Sequence, residues 1–209
     1  MAKLFFRYGA MNGGKSTMII QNAYNYQETG MIPILMKPKD DTKGDNKVCS
    51  RVGISRDVDY LIEKEDNLYL VIAEKYIYAD CILIDEAQFL KREQVDQLMY
   101  VATKLNIPVI CYGIRTDFLT NGFEGSTRLL EIAHSQEEIK TVCFCGCGKK
   151  AIFNARYVDG EFVVDGEQIE IDNNKKVTYL PMCAEHYYEA AEKCKDHPVM
   201  QKIMKKRMR

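Results

Sequence analysis

Eight residues near the N-terminus, Gly9-Ala10-Met11-Asn12-Gly13-Gly14-Lys15-Ser16, follow the spacing G-x-x-x-x-G-K-[ST]. Each position has a chemical reason. Glycines let backbone N–H groups close around phosphate oxygens, and a helix starting behind them points its positive end at the same anion. Lys15 is placed to reach the β- and γ-phosphates of a nucleotide, and the Ser16 hydroxyl to ligate Mg²⁺. The flanks add weight: a strand-like Leu4-Phe5-Phe6-Arg7-Tyr8 precedes the motif and a helix-compatible segment follows it. Such a cradle also needs an acidic group at the end of a neighbouring strand to hold the metal's water shell. Cys81-Ile82-Leu83-Ile84-Asp85-Glu86 supplies it, with Asp85 at the strand end, where ligands bind in open α/β sheets. Glu86, one residue further, is placed as a general base for an attacking hydroxyl or water.

A second constellation lies near the C-terminus. Of the eight cysteines, Cys49, Cys81, Cys111 and Cys194 are scattered, whereas Cys143, Cys145 and Cys147 share a turn-like Cys-Phe-Cys-Gly-Cys-Gly segment. Cys183 and His186 form a C-x-x-H pair that begins 36 residues after Cys147. Two knuckles separated by short strands are the pattern of a zinc ribbon, a closed tetrahedral structural site with no open position for catalysis. Five donors compete for four places, so one thiol is spare. The surroundings (Asp159, Glu161, Asp165, Glu167, Glu170, Asp172) are acidic, which argues against contact with a nucleic-acid backbone.

The elements that must position these groups follow from periodicity. Ser16 to Glu28 reads as a helix that Gly30 stops, and Ile32 to Met36 as the next strand. Residues 38 to 58 are polar, without a period, and read as a long loop. Cys81 to Asp85 is apolar on both faces, as in a parallel sheet covered by helices on both sides. Val95, Leu98, Met99 and Ala102 recur at helical spacing; Ile107 to Tyr112 is a fourth strand, and a short helix near Thr127 to Ala133 follows. Strands alternating with helices imply a βαβ chain and an open sheet. Past Thr141, cysteines, turn residues and short strands (Ile152-Phe153, Phe162 to Val164, Ile169 to Ile171) take over. The expected division is a nucleotide-binding α/β domain over 1–140 and a zinc ribbon over 141–209.

Composition bounds the partners. The 209 residues are 46% hydrophobic and 28% charged, with net charge −1, so no global basic field recruits nucleic acid or anionic lipid. The basic run from Lys202 to Arg209 reads as a solvated tail. No apolar run approaches a membrane span, and no signal-peptide pattern precedes the first strand; the expectation is a cytoplasmic protein with reduced thiols.

In combination these motifs resemble the thymidine kinases of bacteria, animal cytosol and large DNA viruses, over almost the whole length. The matching residues are Gly9-x-Met11-x-x-Gly14-Lys15-Ser16-Thr17, Asp85-Glu86-x-Gln88-Phe89, Tyr112 to Phe118, the cysteine knuckle, and Tyr179-x-x-x-Cys183-x-x-His186. The resemblance implies a P-loop (RecA-like) open parallel sheet with a small zinc-ribbon domain carrying a lasso lid. It implies transfer of the ATP γ-phosphate to the 5′-hydroxyl of thymidine or deoxyuridine, with Glu86 as base. Gly9 to Thr17, Asp85 and Gln88 would serve ATP and Mg²⁺. Met11, Asp41, Phe89, Ile114, Phe118, Phe123 and Tyr179 would serve the nucleoside. Structural Zn²⁺ would anchor the lid, and the family is typically a homotetramer. Counting back from Ala151 gives the ligands as Cys145, Cys147, Cys183 and His186; counting forward from Thr141 makes Cys143 the rival. Two departures stand out: Asp41-Thr42-Lys43 where D-x-R is usual, and Ile171-Asp172-Asn173 where the lasso carries Ile-Gly-Gly. Two other readings compete. Asp85-Glu86-Ala87-Gln88 also suits a nucleic-acid-stimulated ATPase of helicase type, though such motors carry a second nucleotide-type domain. A zinc-ribbon nucleotide sensor without turnover is the other.

Overall fold

The computed structural model describes residues 1–39, 46–164 and 176–194. Asp41 to Lys43, the strand expected at Ile169 to Ile171, the Ile171-Asp172-Asn173 departure and the basic tail lie outside the described residues. The chain forms two compact units. One comprises Met1–Gly9, Gly14–Arg115 and Phe123–Ile139; the other comprises Ala10–Gly13, Thr116–Gly122 and the chain from Lys140 on.

In the first unit the order is β1 (Leu4–Tyr8), α1 (Lys15–Glu28), β2 (Pro33–Pro38), β3 (Lys47–Cys49), β4 (Ser55–Asp57), β5 (Tyr60–Ile62), α2 (Leu68–Lys75) and β6 (Cys81–Ile84). There follow a 3₁₀ turn at Ala87–Phe89, α3 (Arg92–Tyr100) with a π-helical extension at Val101–Leu105, β7 (Val109–Gly113), α4 (Glu124–Ile132) and β8 (Ser135–Glu138). Six strands form one sheet in the order β5-β2-β6-β7-β1-β8, every pair parallel. This is the open α/β sheet the sequence implies.

The two-residue alternation of the strands builds the layers. Phe6, Ile34, Met36, Ile82, Ile84, Val109 and Cys111 pack with Leu68 and Ile72 of α2, Val95 and Leu98 of α3 and Leu129 of α4. The alternate residues Leu35, Cys81, Leu83, Ile110 and Tyr112 pack with Ile19 and Ala23 of α1. Both faces are therefore dry, which is why these strands read as unbroken apolar runs. Burial pushes the Cys81 thiol up to about 12 and raises that of Cys111 as well, so neither is a nucleophile at neutral pH. No helix among the described residues is long and apolar enough to cross a membrane.

Helix α1 begins as expected, and its C-terminus closes at Gly30 (φ 78°), whose N–H donates to the Gln27 carbonyl. The polar segment expected to be one loop instead contains the β3–β4 hairpin, with Val48 facing α1. Three-residue strands carrying one buried or half-buried residue between exposed neighbours are too short for a period to emerge. The edge strand β8, Ser-Gln-Glu-Glu, is polar and largely exposed, and escapes pattern reading for the same reason.

The second unit holds a three-stranded antiparallel sheet, ordered β10 (Glu161–Phe162), β9 (Phe153–Val158), β11 (Val177–Met182), followed by α5 (Ala184–Lys193). Its small core gathers Cys143, Ala155, Met182, Cys183 and Tyr187, with Phe153, Tyr157 and Phe162 around them.

Candidate active site and metal cluster

Strand β1 runs into the phosphate loop, and Gly9 closes onto β7 through its N–H to the Gly113 carbonyl (3.3 Å). A Cβ on Gly9 would collide with the Ile139 carbonyl oxygen, so this glycine is demanded by space. Gly14 is demanded by conformation instead: φ is 83° and nothing lies within 4 Å of where a Cβ would stand. As the N-cap of α1 it has no side chain to offer the first helical amides, which is the arrangement a phosphate needs. Lys15 is buried and its Nζ donates to the Gly9 carbonyl at 3.2 Å, folding the ammonium back over the loop. The Thr17 hydroxyl meets Ser50 Oγ at 2.5 Å, tying the β3–β4 hairpin to α1. Ser50 carries no motif, and its part here was not legible.

At the end of β6 the Asp85 N–H continues the ladder to the Met36 carbonyl (3.0 Å), and its side chain follows the α1-facing series of Cys81 and Leu83. Asp85 is 5% exposed. Glu86 then breaks the strand in a left-handed conformation (φ 49°, ψ 39°), which a non-glycine residue adopts at a cost of about 1–3 kcal/mol. The turn swings its carboxylate beside Gln88, whose Nε2 donates to Glu86 Oε2 at 2.5 Å. The other end of the Gln88 amide accepts the Ile114 N–H at 3.2 Å. Gln88 is 2% exposed, so both ends of its amide serve protein groups. The Ile114 carbonyl in turn accepts from Ser126 Oγ (2.6 Å) at the start of α4. Phe89 and Phe123 meet edge-on, 5.7 Å between ring centroids. The first unit thus brings together Glu86, Gln88 and Ile114, and separately the Phe89–Phe123 pair.

The second unit contains the loop tip Ala10–Gly13, Phe118, Tyr179 and the thiols. Asp117 builds the turn that carries Phe118: its Oδ1 accepts the N–H groups of Leu119 (2.9 Å) and Asn121 (2.8 Å). The Phe118 carbonyl accepts from Tyr187 Oη at 2.5 Å, and the Arg156 guanidinium lies 4.9 Å over the Phe118 ring. Burial raises the pKa of the Tyr187 phenol, and the Asp117 carboxylate raises it further. Tyr179 of β11 stands opposite Arg156 of β9; burial raises its phenol while the guanidinium opposes the rise. The Met11 N–H donates to Asn154 Oδ1 at 2.7 Å. Asn154, Arg156 and Tyr187 were not singled out from sequence, because a buried polar residue on a short strand or helix looks like any other.

The donor atoms of Cys143, Cys145, Cys147 and His186 lie within 4.8 Å of one another. His186 Nδ1 is 3.2 Å from Cys145 Sγ and 3.1 Å from Cys183 Sγ. Cys143 is buried, and its Sγ accepts the Cys183 N–H at 3.2 Å. Burial opposes ionisation of Cys143, but the N–H groups of Cys183 and Cys145 outweigh it and bring the thiol down to about 6. The Cys183 thiol is raised by burial; the His186 N–H opposes the rise and the thiols of Cys143 and Cys147 add to it. Glu185 pairs with Lys149. Four soft donors at these separations fit a tetrahedral ion with Zn–S bonds of about 2.3 Å.

A parallel sheet with a glycine phosphate loop after β1 and an acidic end to β6 defines a P-loop α/β protein. Comparison with known proteins narrows this. The thymidine kinase family model matches residues 2–187. The chain is 49% identical over 193 residues to a thymidine kinase of Pasteurella multocida, covering 90% of this chain and 98% of that one. It is 46% identical over 192 residues to one of Legionella pneumophila (90% of each chain), and 46% over 197 residues to one of Vibrio parahaemolyticus (92% and 100%). The chain belongs to the thymidine kinase family, and is accordingly a kinase.

Proposed function

We propose that the protein transfers the γ-phosphate of ATP to the 5′-hydroxyl of thymidine or deoxyuridine. The observation that carries this reading is the Glu86 carboxylate, held by Gln88 in a strained turn at the end of β6, in a chain of this family. Glu86 takes the proton of the 5′-hydroxyl as that oxygen attacks the γ-phosphorus, and the bond from phosphorus to the bridging oxygen breaks to release ADP. The loop from Gly9 to Thr17, with Lys15, grips the phosphates, and developing charge on them is met by the Lys15 ammonium. Ser16 and Asp85 would hold Mg²⁺, which when bound neutralises charge on the β- and γ-oxygens. Gln88 keeps its assignment to the ATP side by resemblance, and its amide in addition ties Glu86 to the Ile114 N–H. Met11, Asp41, Phe89, Ile114, Phe118, Phe123 and Tyr179 keep their assignment to the nucleoside by resemblance alone. The family's homotetramer and a cytoplasmic setting complete the reading.

For the metal we propose Cys143, Cys147, Cys183 and His186 as the Zn²⁺ ligands. Cys143 and Cys147 lie in one cluster with His186, and Cys183 stands beside both His186 and Cys143. The sequence count places Cys145 in the set with Cys143 as its rival; Cys145 Sγ lies in the same cluster, 3.2 Å from His186 Nδ1, and the zinc content of the two single variants decides between them. When bound, zinc would hold the two knuckles together and perform no chemistry on the substrate.

Incubation with γ-labelled ATP and a panel of deoxynucleosides tests the function. Label in thymidine and deoxyuridine monophosphates is expected. Label released only as inorganic phosphate, rising with added DNA, would instead mark a nucleic-acid-stimulated ATPase.

A further inference from the structure

We infer that Asn154 is a positioning residue through which the zinc ribbon sets the tip of the phosphate loop; this rests on the kinase reading above. Asn154 is 3% exposed on β9, and both ends of its amide are spent on backbone groups. Its Oδ1 accepts the Met11 N–H at 2.7 Å, and its Nδ2 reaches the Thr116 carbonyl at 3.4 Å. One side chain therefore ties the loop tip and the start of the 116–122 loop to the same strand.

The tip needs an external tie. Asn12 sits at φ 64° and Gly14 at φ 83°, a backbone path that ordinary local preference does not hold, and Gly13 closes only a weak turn onto the Ala10 carbonyl (3.3 Å). A bond of 2.7 Å from the residue beside Asn12 to a buried acceptor restrains that path. The acceptor is in turn fixed by the metal-binding segments. Asn154 stands opposite Pro181 in the β9–β11 ladder. The Pro181 carbonyl accepts the N–H of Phe144, which lies between Cys143 and Cys145, and Cys183 follows Pro181 by two residues. The knuckle, β11 and Asn154 are consecutive links in hydrogen-bonded backbone. On this view the ribbon restrains the tip of the phosphate loop directly.

The test uses the full-length zinc protein and a non-hydrolysable ATP analogue. Asn154→Leu fills the same volume without an acceptor, and Asn154→Asp keeps the acceptor for Met11. The leucine variant is expected to bind the analogue about fivefold more weakly, the equivalent of one lost hydrogen bond. Its KM for ATP should rise by a similar factor with kcat within about twofold, and its zinc content should stay at the wild-type level. The aspartate variant should recover most of the affinity. Asn154→Ala reads the same loss should leucine strain the ribbon. Wild-type affinity in both the leucine and alanine variants would overturn the proposal, as would an aspartate variant no better than leucine. A wild-type protein that binds the analogue but makes no thymidine monophosphate would sink the kinase reading while leaving the Asn154 result intact.

Discussion

Replacing Gly113 by alanine should silence Glu86 without touching it. Gly113 ends β7 with φ outside the left-handed region, so the alanine backbone is allowed there. The obstacle is space: the new Cβ would stand 2.7 Å from Gln88 Oε1 and 3.2 Å from the Gln88 nitrogen. The side-chain oxygen is the atom able to move, and moving it breaks the 3.2 Å bond from the Ile114 N–H. A buried amide left without its acceptor costs about 2 kcal/mol, which lowers Tm by roughly 4–8 °C in a chain of this size. The same shift withdraws Gln88 Nε2 from Glu86 Oε2, now 2.5 Å away, and frees the carboxylate. A reacting group misplaced by about 1 Å costs on the order of 10²-fold in rate. The expected result is a folded variant with kcat down about 10- to 100-fold and KM for ATP within about twofold, because Lys15 and the loop are untouched. Gln88→Leu should give the same kcat, and the double variant should be no worse than either single one, since both remove one interaction. A folded Gly113→Ala protein with wild-type kcat, or additive losses in the double variant, would refute the claim that Gln88 holds the base.

Other outcomes follow from the same geometry. Glu86→Gln should keep the analogue's affinity while phosphoryl transfer falls ~10²-fold or more, as for loss of a general base; near-normal turnover would remove Glu86 from that role. Lys15→Ala should abolish measurable transfer and weaken the ATP analogue, and a variant that still binds it normally would contradict the cradle. Cys143→Ser should lose zinc and Cys145→Ser retain it, read by metal content per chain; the reverse result would restore the set counted from the sequence.

Much of this protein is legible along the chain. The phosphate cradle is a contiguous string whose glycines answer local demands, such as the φ of 83° at Gly14. Asp85-Glu86 follows an apolar run that alternation sorts onto two dry faces, so a buried parallel strand with an acidic end is readable from six residues. The zinc knuckles show through because cysteines at short spacing have few other uses. Where an element has no period, as in the three-residue strands of the β3–β4 hairpin or the polar edge strand β8, reading fails.

Sequence alone determined the chemistry present: a phosphate loop, a carboxylate pair, a set of soft metal donors, and through their combination the family. Tertiary structure decided how these groups are held. Gln88 became the holder of Glu86 because β7 brings the Ile114 N–H to its other end. Asn154 acquired a role because β9 places a buried amide against Met11, a residue 143 positions away in the chain. Cys143 entered the proposed ligands because its Sγ accepts the Cys183 N–H from the far end of β11. Local strings encode local conformation and reactive groups, whereas partners for buried polar atoms are chosen by strands and helices that meet only when the chain is folded.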